Sequence, residues 1–255
     1  MVPLIVCLAG LSGGQTYTGP RITVKPVFCV AADAQNPAQV ETRRLMRYLK
    51  ITQARYLELL EGLDTFQLAD SPVTWRCPAT ASELQKKPNG GAEYVVNELL
   101  KKDHVTRWTC PYVYVVIFVG TGDFPGGGGG RPINGGHDRG GGIVILSGSL
   151  LQTAPNVQST LQHELGHAFG LPHVDVYGYD MLTNPSIMSY NPGHHTSYFK
   201  VSPTPGRLIP EDMRALAENK LAFPNYRFDP SQDVPSGYSL RNDVELGPME
   251  LASHT

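Results

Sequence analysis

The stretch His163-Glu164-Leu165-Gly166-His167-Ala168-Phe169-Gly170-Leu171-Pro172-His173 constrains this chain more than any other. On an α-helix, residues four apart lie about 40° apart around the axis, so His163 and His167 project side by side from one face. Two imidazoles placed in this way can share one metal ion. Val157, Leu161, Leu165 and Ala168 fall together on the opposite side, giving the helix an aliphatic face for burial and a ligand face for chemistry. Glu164 is turned by about 100° from His163, too far round to be a third ligand but able to reach a water held on the ion. That is the place of a general base. Gly170 can take the left-handed conformation that ends a helix, and Pro172 prevents its continuation. His173 can then return to the same ion. Three protein ligands with a fourth position left for water is the pattern of catalytic zinc sites rather than of closed structural ones.

A histidine taken singly is most often a surface or hydrogen-bonded side chain. With 8 His in 255 residues, however, the full pattern arises by chance in only about a few sequences in a hundred thousand. The pattern H-E-x-x-H-x-x-G-x-x-H resembles the signature of the metzincin clan of zinc metallopeptidases. Beyond His173 the segment Ser186-Ile187-Met188-Ser189-Tyr190 is similar to the clan's Met-turn. The resemblance implies that Met188 lies beneath the metal in a structural role. It implies that Tyr190 stands near the ion and helps to stabilise the reacting oxyanion, as the Met-x-Tyr tyrosine does in astacins and serralysins. The residue after the third histidine is Val174, unlike the Glu of astacins, the Pro of serralysins, the Ser common in matrixins or the Asp of adamalysins. The likeness therefore reaches the clan and no named family within it.

The clan implies a zincin-like α/β (α+β) fold, with a twisted mixed sheet and helices, the active-site helix, and a smaller irregular C-terminal lobe with one helix. Residues 1–20 form an N-terminal segment and residues 21–170 the sheet-and-helix lobe ending in the zinc helix. Residues 171–255 form the second lobe, carrying the third histidine, the Met-turn and the last helix, and the whole is one catalytic domain. The motifs that carry the resemblance span about residues 142–190.

Composition bounds what can surround such a site. A chain that is 41% hydrophobic and 17% charged buries a globular core. A net charge of -2 and a pI near 6.4 give no electrostatic footprint for nucleic acid, and no stretch approaches the roughly 20 apolar residues of a membrane-spanning helix. The apolar opening, residues 1–11, suits the core of a signal peptide without its positive n-region, or else a first strand. Because the class implied is usually secreted, a secreted or extracytoplasmic location is expected. Cys7, Cys29, Cys77 and Cys110 lack metal-ligand spacing. In an exported protein Cys77 with Cys110 is the first pairing to try, while Cys29, in an apolar run, reads as a buried thiol.

Residues 21–32 read as a strand interrupted by Pro26. A helix follows from Asn36 as N-cap, with Pro37 in its first turn and Gly62 at its far end. Residues 66–76 read as a weaker strand, residues 91–102 as a short helix, and Tyr112 to Val119 as a central strand buried on both faces. Residues 120–142, rich in glycine, read as a loop. Within it Asp123, His137 and Asp138 are candidates for an additional Ca2+ or Zn2+ ion. Gly142 to Ser149 reads as a strand and, by the resemblance, as the sheet edge along which a protein or peptide substrate binds as an extended strand. His194 and His195 read as pocket wall or surface, and residues 210–221 as a short helix with proline and acids in its first turn.

The function expected is a zinc-dependent metalloendopeptidase holding one catalytic ion through His163, His167 and His173, with Glu164 as base. A zinc-bearing, non-catalytic extracellular binding or adhesion protein is the second reading, although its usual mark would be a lost glutamate. The third is an intracellular peptidase of narrow specificity. Oligomeric state leaves no trace in the sequence.

Overall fold

The computed structural model describes residues 21–120, 128–134, 141–152, 154–190 and 206–229. The N-terminal segment with Cys7, the candidate ion ligands Asp123, His137 and Asp138, and His194 and His195 lie outside them.

The fold is α/β, built on a twisted mixed sheet of six strands. β1 (Thr23–Val30), β4 (Tyr112–Val119) and β6 (Gly142–Ser147) form its parallel centre, in the order β1-β4-β6. Two short strands, β2 (Gln67–Leu68) and β3 (Val73–Arg76), pair in parallel with successive halves of β1. On the other side β5 (Gly128–Pro132) pairs antiparallel with β6. The apolar run of β4 is buried on both faces, as its composition requires. Val113, Val115 and Ile117 join one cluster with residues of α1 (Gln39–Leu59) and α4 (Ala154–Ala168). Tyr114, Val116 and Phe118 face the other way, with Leu84 of α2 (Ala81–Lys86) and Val95, Val96, Leu99 and Leu100 of α3 (Ala92–Lys102). On α4, Val157, Leu161, Leu165 and Ala168 all turn inward to the first cluster, which is the aliphatic face read from the sequence.

Several expectations are corrected. Pro26 does not interrupt β1. Strand residues point their N–H groups alternately to either side, and the Thr23 N–H donates to Pro111 O on the β4 side. Pro26 therefore turns its donorless nitrogen to the other side, where the ladder is already broken between Leu68 and Val73. α1 begins two residues later than read. Ala38 is the N-cap, its N–H donating to Glu41 at 2.7 Å, while Asn36 accepts from Arg76 instead. The weaker strand at residues 66–76 is split in two, and α2 had no counterpart in the reading. The glycine-rich stretch is not loop throughout, since Gly128–Pro132 is a strand. β6 is consequently not the sheet edge, because β5 covers it. Cys77 is not bonded to Cys110; Cys29, Cys77 and Cys110 are free, buried thiols, and Cys77 hydrogen-bonds Cys29.

Candidate metal centre

α4 presents His163 and His167 one turn apart and ends in the turn that Gly170 makes possible. Gly170, at φ +103°, donates to His167 O, and Leu171 donates back to Gly166 O at 2.9 Å, the paired bonds of a Schellman cap. The chain so reversed brings His173 to face the helix. Three Nε2 atoms converge, 3.1 Å apart for His163 and His167, 3.0 Å for His167 and His173, and 3.3 Å for His163 and His173. Three nitrogens bound tetrahedrally to one zinc ion at ~2.05 Å stand roughly 3.3 Å apart, so the triad fits one ion with a position to spare. Among the described residues it is the one cluster with that capacity.

The outer ring nitrogens set the tautomer that lets the inner ones ligate. His163 Nδ1 lies 2.7 Å from Ile187 O, and His167 Nδ1 lies 2.7 Å from Leu171 O. A carbonyl only accepts, so each Nδ1 carries the proton and each Nε2 turns its lone pair inward. Burial lowers the pKa of His167 and of His173, which favours the neutral, ligating form.

Glu164 follows His163 on the helix. Burial pushes its carboxyl up to about 7, and a hydrogen bond from the Gly130 N–H opposes the shift. That bond is possible because β5 lies almost on the helix backbone: a Cβ at Gly130 would come within 2.0 Å of Glu164 O. Sequence reading missed Gly130, since a run of glycines does not say which one approaches a helix.

Met188 is fully buried, with its sulfur packed beneath α4 where a Cβ on Gly166 would stand 2.4 Å away. Tyr190 is about half exposed, its ring centroid 4.8 Å from that of His173 and 5.6 Å from that of His163. Burial raises the pKa of its phenol, with smaller contributions from the charges of Glu164 and Asp175. The structure thus brings together His163, Glu164, His167, His173, Met188 and Tyr190.

No protein-family profile matches the sequence, and no curated protein does. The fold is nonetheless similar to that of OgpA from Akkermansia muciniphila. Two crystal forms of the wild-type protein each align with a TM-score of 0.50 at 16% identity, over 89% of this chain and 68% of that one. A catalytically inactive OgpA in complex with an O-glycopeptide substrate, glycodrosocin, aligns with a TM-score of 0.50 at 17% identity, over 89% of this chain and 67% of that one. At such identity the likeness is one of fold.

Proposed function

We propose that this chain is a zinc-dependent endopeptidase of the metzincin type. The convergence of three Nε2 atoms within 3.3 Å of one another, two of them from a helix that also carries Glu164, supports this reading most directly. A zinc ion supplies two things when bound: it lowers the pKa of a coordinated water to about 7 and polarises the peptide carbonyl. His163, His167 and His173 hold the ion. Glu164, steadied by the Gly130 N–H, takes the proton of the attacking water and passes it to the leaving amine. Tyr190 donates a hydrogen bond to the oxyanion as it develops, and Met188 forms the floor under the helix.

The substrate is a peptide bound as an added strand, and the edge it joins is β5 rather than β6. Gly130 is on that edge. The Ile133 N–H donates to Gly141 O toward β6, so alternation turns the Gly128 N–H and the Gly128 and Gly130 carbonyls outward for the peptide, while the outward Gly130 N–H is the one that Glu164 holds. The likeness to OgpA makes O-glycosylated peptides the first substrates to try. Among the described residues no helix is long and apolar enough to cross a membrane, and export from the cytoplasm is part of the proposal.

The test is zinc content by elemental analysis together with cleavage of a peptide library that includes O-glycopeptides, on the wild type and on Glu164→Gln. The expected result is one zinc per chain in both, cleavage by the wild type alone, and recovery of the protein outside the cytoplasm. Zinc in both with no cleavage by either would favour the non-catalytic binding reading, and absence of zinc from both would overturn the metal site itself. Cleaving protein confined to the cytosol would favour the intracellular peptidase.

A further inference from the structure

Asp212, in the first turn of the helix Pro210–Glu218, has a fully buried carboxyl that the reaction does not use. Its Oδ2 accepts from Ser186 Oγ at 3.0 Å and, more weakly, from the Ile209 N–H at 3.5 Å, while Oδ1 is buried with no hydrogen-bond partner among the described residues. An orphaned buried carboxylate oxygen is costly. Capping the helix does not account for it, because an exposed carboxylate caps equally well.

The Ser186 contact leads toward the metal centre. Ser186 Oγ, donating to Asp212, accepts in turn from the Met188 N–H at 3.0 Å. Between those two residues stands Ile187, whose carbonyl accepts the Nδ1 proton of His163 at 2.7 Å. The same turn is held from outside by the Ile187 N–H bond to Arg207 O and by the Val174 N–H bond to Met188 O. Within the turn Asn184 Oδ1 accepts from the Ser186 N–H and Ser189 Oγ donates to Ser186 O, whereas Ser186 with Asp212 is a side-chain tether to the last described helix, and through the Met188 N–H it holds the peptide unit that carries the Ile187 carbonyl.

We propose that Asp212 is a positioning residue for the metal centre. Through Ser186 it locks the turn at 186–190 so that the Ile187 carbonyl orients the His163 ring, with Nε2 aimed at the point shared with His167 and His173. The inference rests on the metal-site reading above. It adds a component that the metal-binding motif does not contain, and it makes the last described helix part of the site.

Zinc affinity of the full chain, measured by competition with a chromogenic chelator, and the visible spectrum of the cobalt(II)-substituted protein test it. Ser186→Ala, Asp212→Ala and the double variant are expected to bind zinc about 10- to 100-fold more weakly, the range usual for groups that orient metal ligands, with shifted cobalt bands. The double variant should be no worse than either single one, since all three break one relay. Asp212→Asn, whose amide oxygen can accept the same two hydrogen bonds, should stay within a few-fold of the wild type. The proposal is overturned if Ser186→Ala and Asp212→Ala, folded by circular dichroism, bind zinc within about twofold of the wild type with unaltered cobalt spectra. Should Asp212→Ala not fold, Ser186→Ala decides alone, because it leaves the helix cap intact. A wild type that binds no metal overturns the metal-site reading and this inference together; equal affinities across the series overturn only the inference.

Discussion

Glu164 works under opposed influences. Burial, opposed by the Gly130 N–H, raises its pKa to about 7, and a dication bound by the three histidines would draw it down from there. As the proposed base Glu164 would act as the carboxylate, so activity would be lost as pH falls through its pKa. The kcat/KM profile should therefore show an acid limb with an apparent pKa no higher than about 7. Glu164→Gln should lower kcat/KM by about 10²- to 10⁴-fold without loss of bound zinc. Stability follows a related logic in the metal-free protein. Asp212 is pushed by burial from 3.8 to about 7, against the hydrogen bonds from Ser186 and Ile209. An acid whose folded pKa exceeds its unfolded value holds its proton more tightly when folded. Its contribution is thus most favourable below pH 3.8 and is lost progressively as pH rises to about 7. The stability of Asp212→Asn relative to the wild type should rise over that interval, which thermal unfolding from pH 4 to 8 would check.

The glycines of β5 show what an element can demand of sequence. A Cβ at Gly130 would strike the backbone oxygen of Glu164 at 2.0 Å, which no rotamer change relieves, whereas one at Gly166 would meet the movable sulfur of Met188 at 2.4 Å. Gly130→Ala should cost on the order of 3 kcal/mol and most of the activity, and Gly166→Ala about 1 kcal/mol; denaturant unfolding and peptide cleavage separate the two. This contact was the least legible part of the site in the sequence. Histidine spacing on a helix is periodic and can be read, and so was the all-apolar β4. A strand of Gly-Gly-Gly-Arg-Pro has no alternation to read, and its reason for existing is a close approach in space. α2 did carry a local mark, the capping box in which Thr80 Oγ1 accepts from Glu83 N and Glu83 accepts from Thr80 N. The Cys77–Cys110 pairing failed for the opposite reason: nearness to prolines says nothing about which thiol lies across a sheet.

At the scale of the molecule, the segment after the last described helix is tied back to the first strand. Asp64 accepts from Arg21 Nη2 at 2.9 Å and from the Asn225 N–H at 2.8 Å, and Ile22 donates to Leu221 O. Asp64 is buried and also accepts from the Thr65 N–H, so Asp64→Ala removes the acceptor of two backbone donors and leaves Arg21 only the Thr65 and Ala222 carbonyls; it should cost about 2 kcal/mol, lowering Tm by roughly 4–8 °C, with zinc affinity unchanged. Removing zinc with a chelator should also lower Tm, by an amount that grows with the free zinc concentration restored for comparison. The outward edge of β5 bears on how copies of the chain meet. Its third outward position, after Gly128 and Gly130, is Pro132, which has no N–H to offer, and the Gly130 donor is already held by Glu164. Such an edge could take a short peptide but offers a second molecule no continuous ladder, so the strand proposed to take the substrate also resists growing into a shared sheet at high concentration.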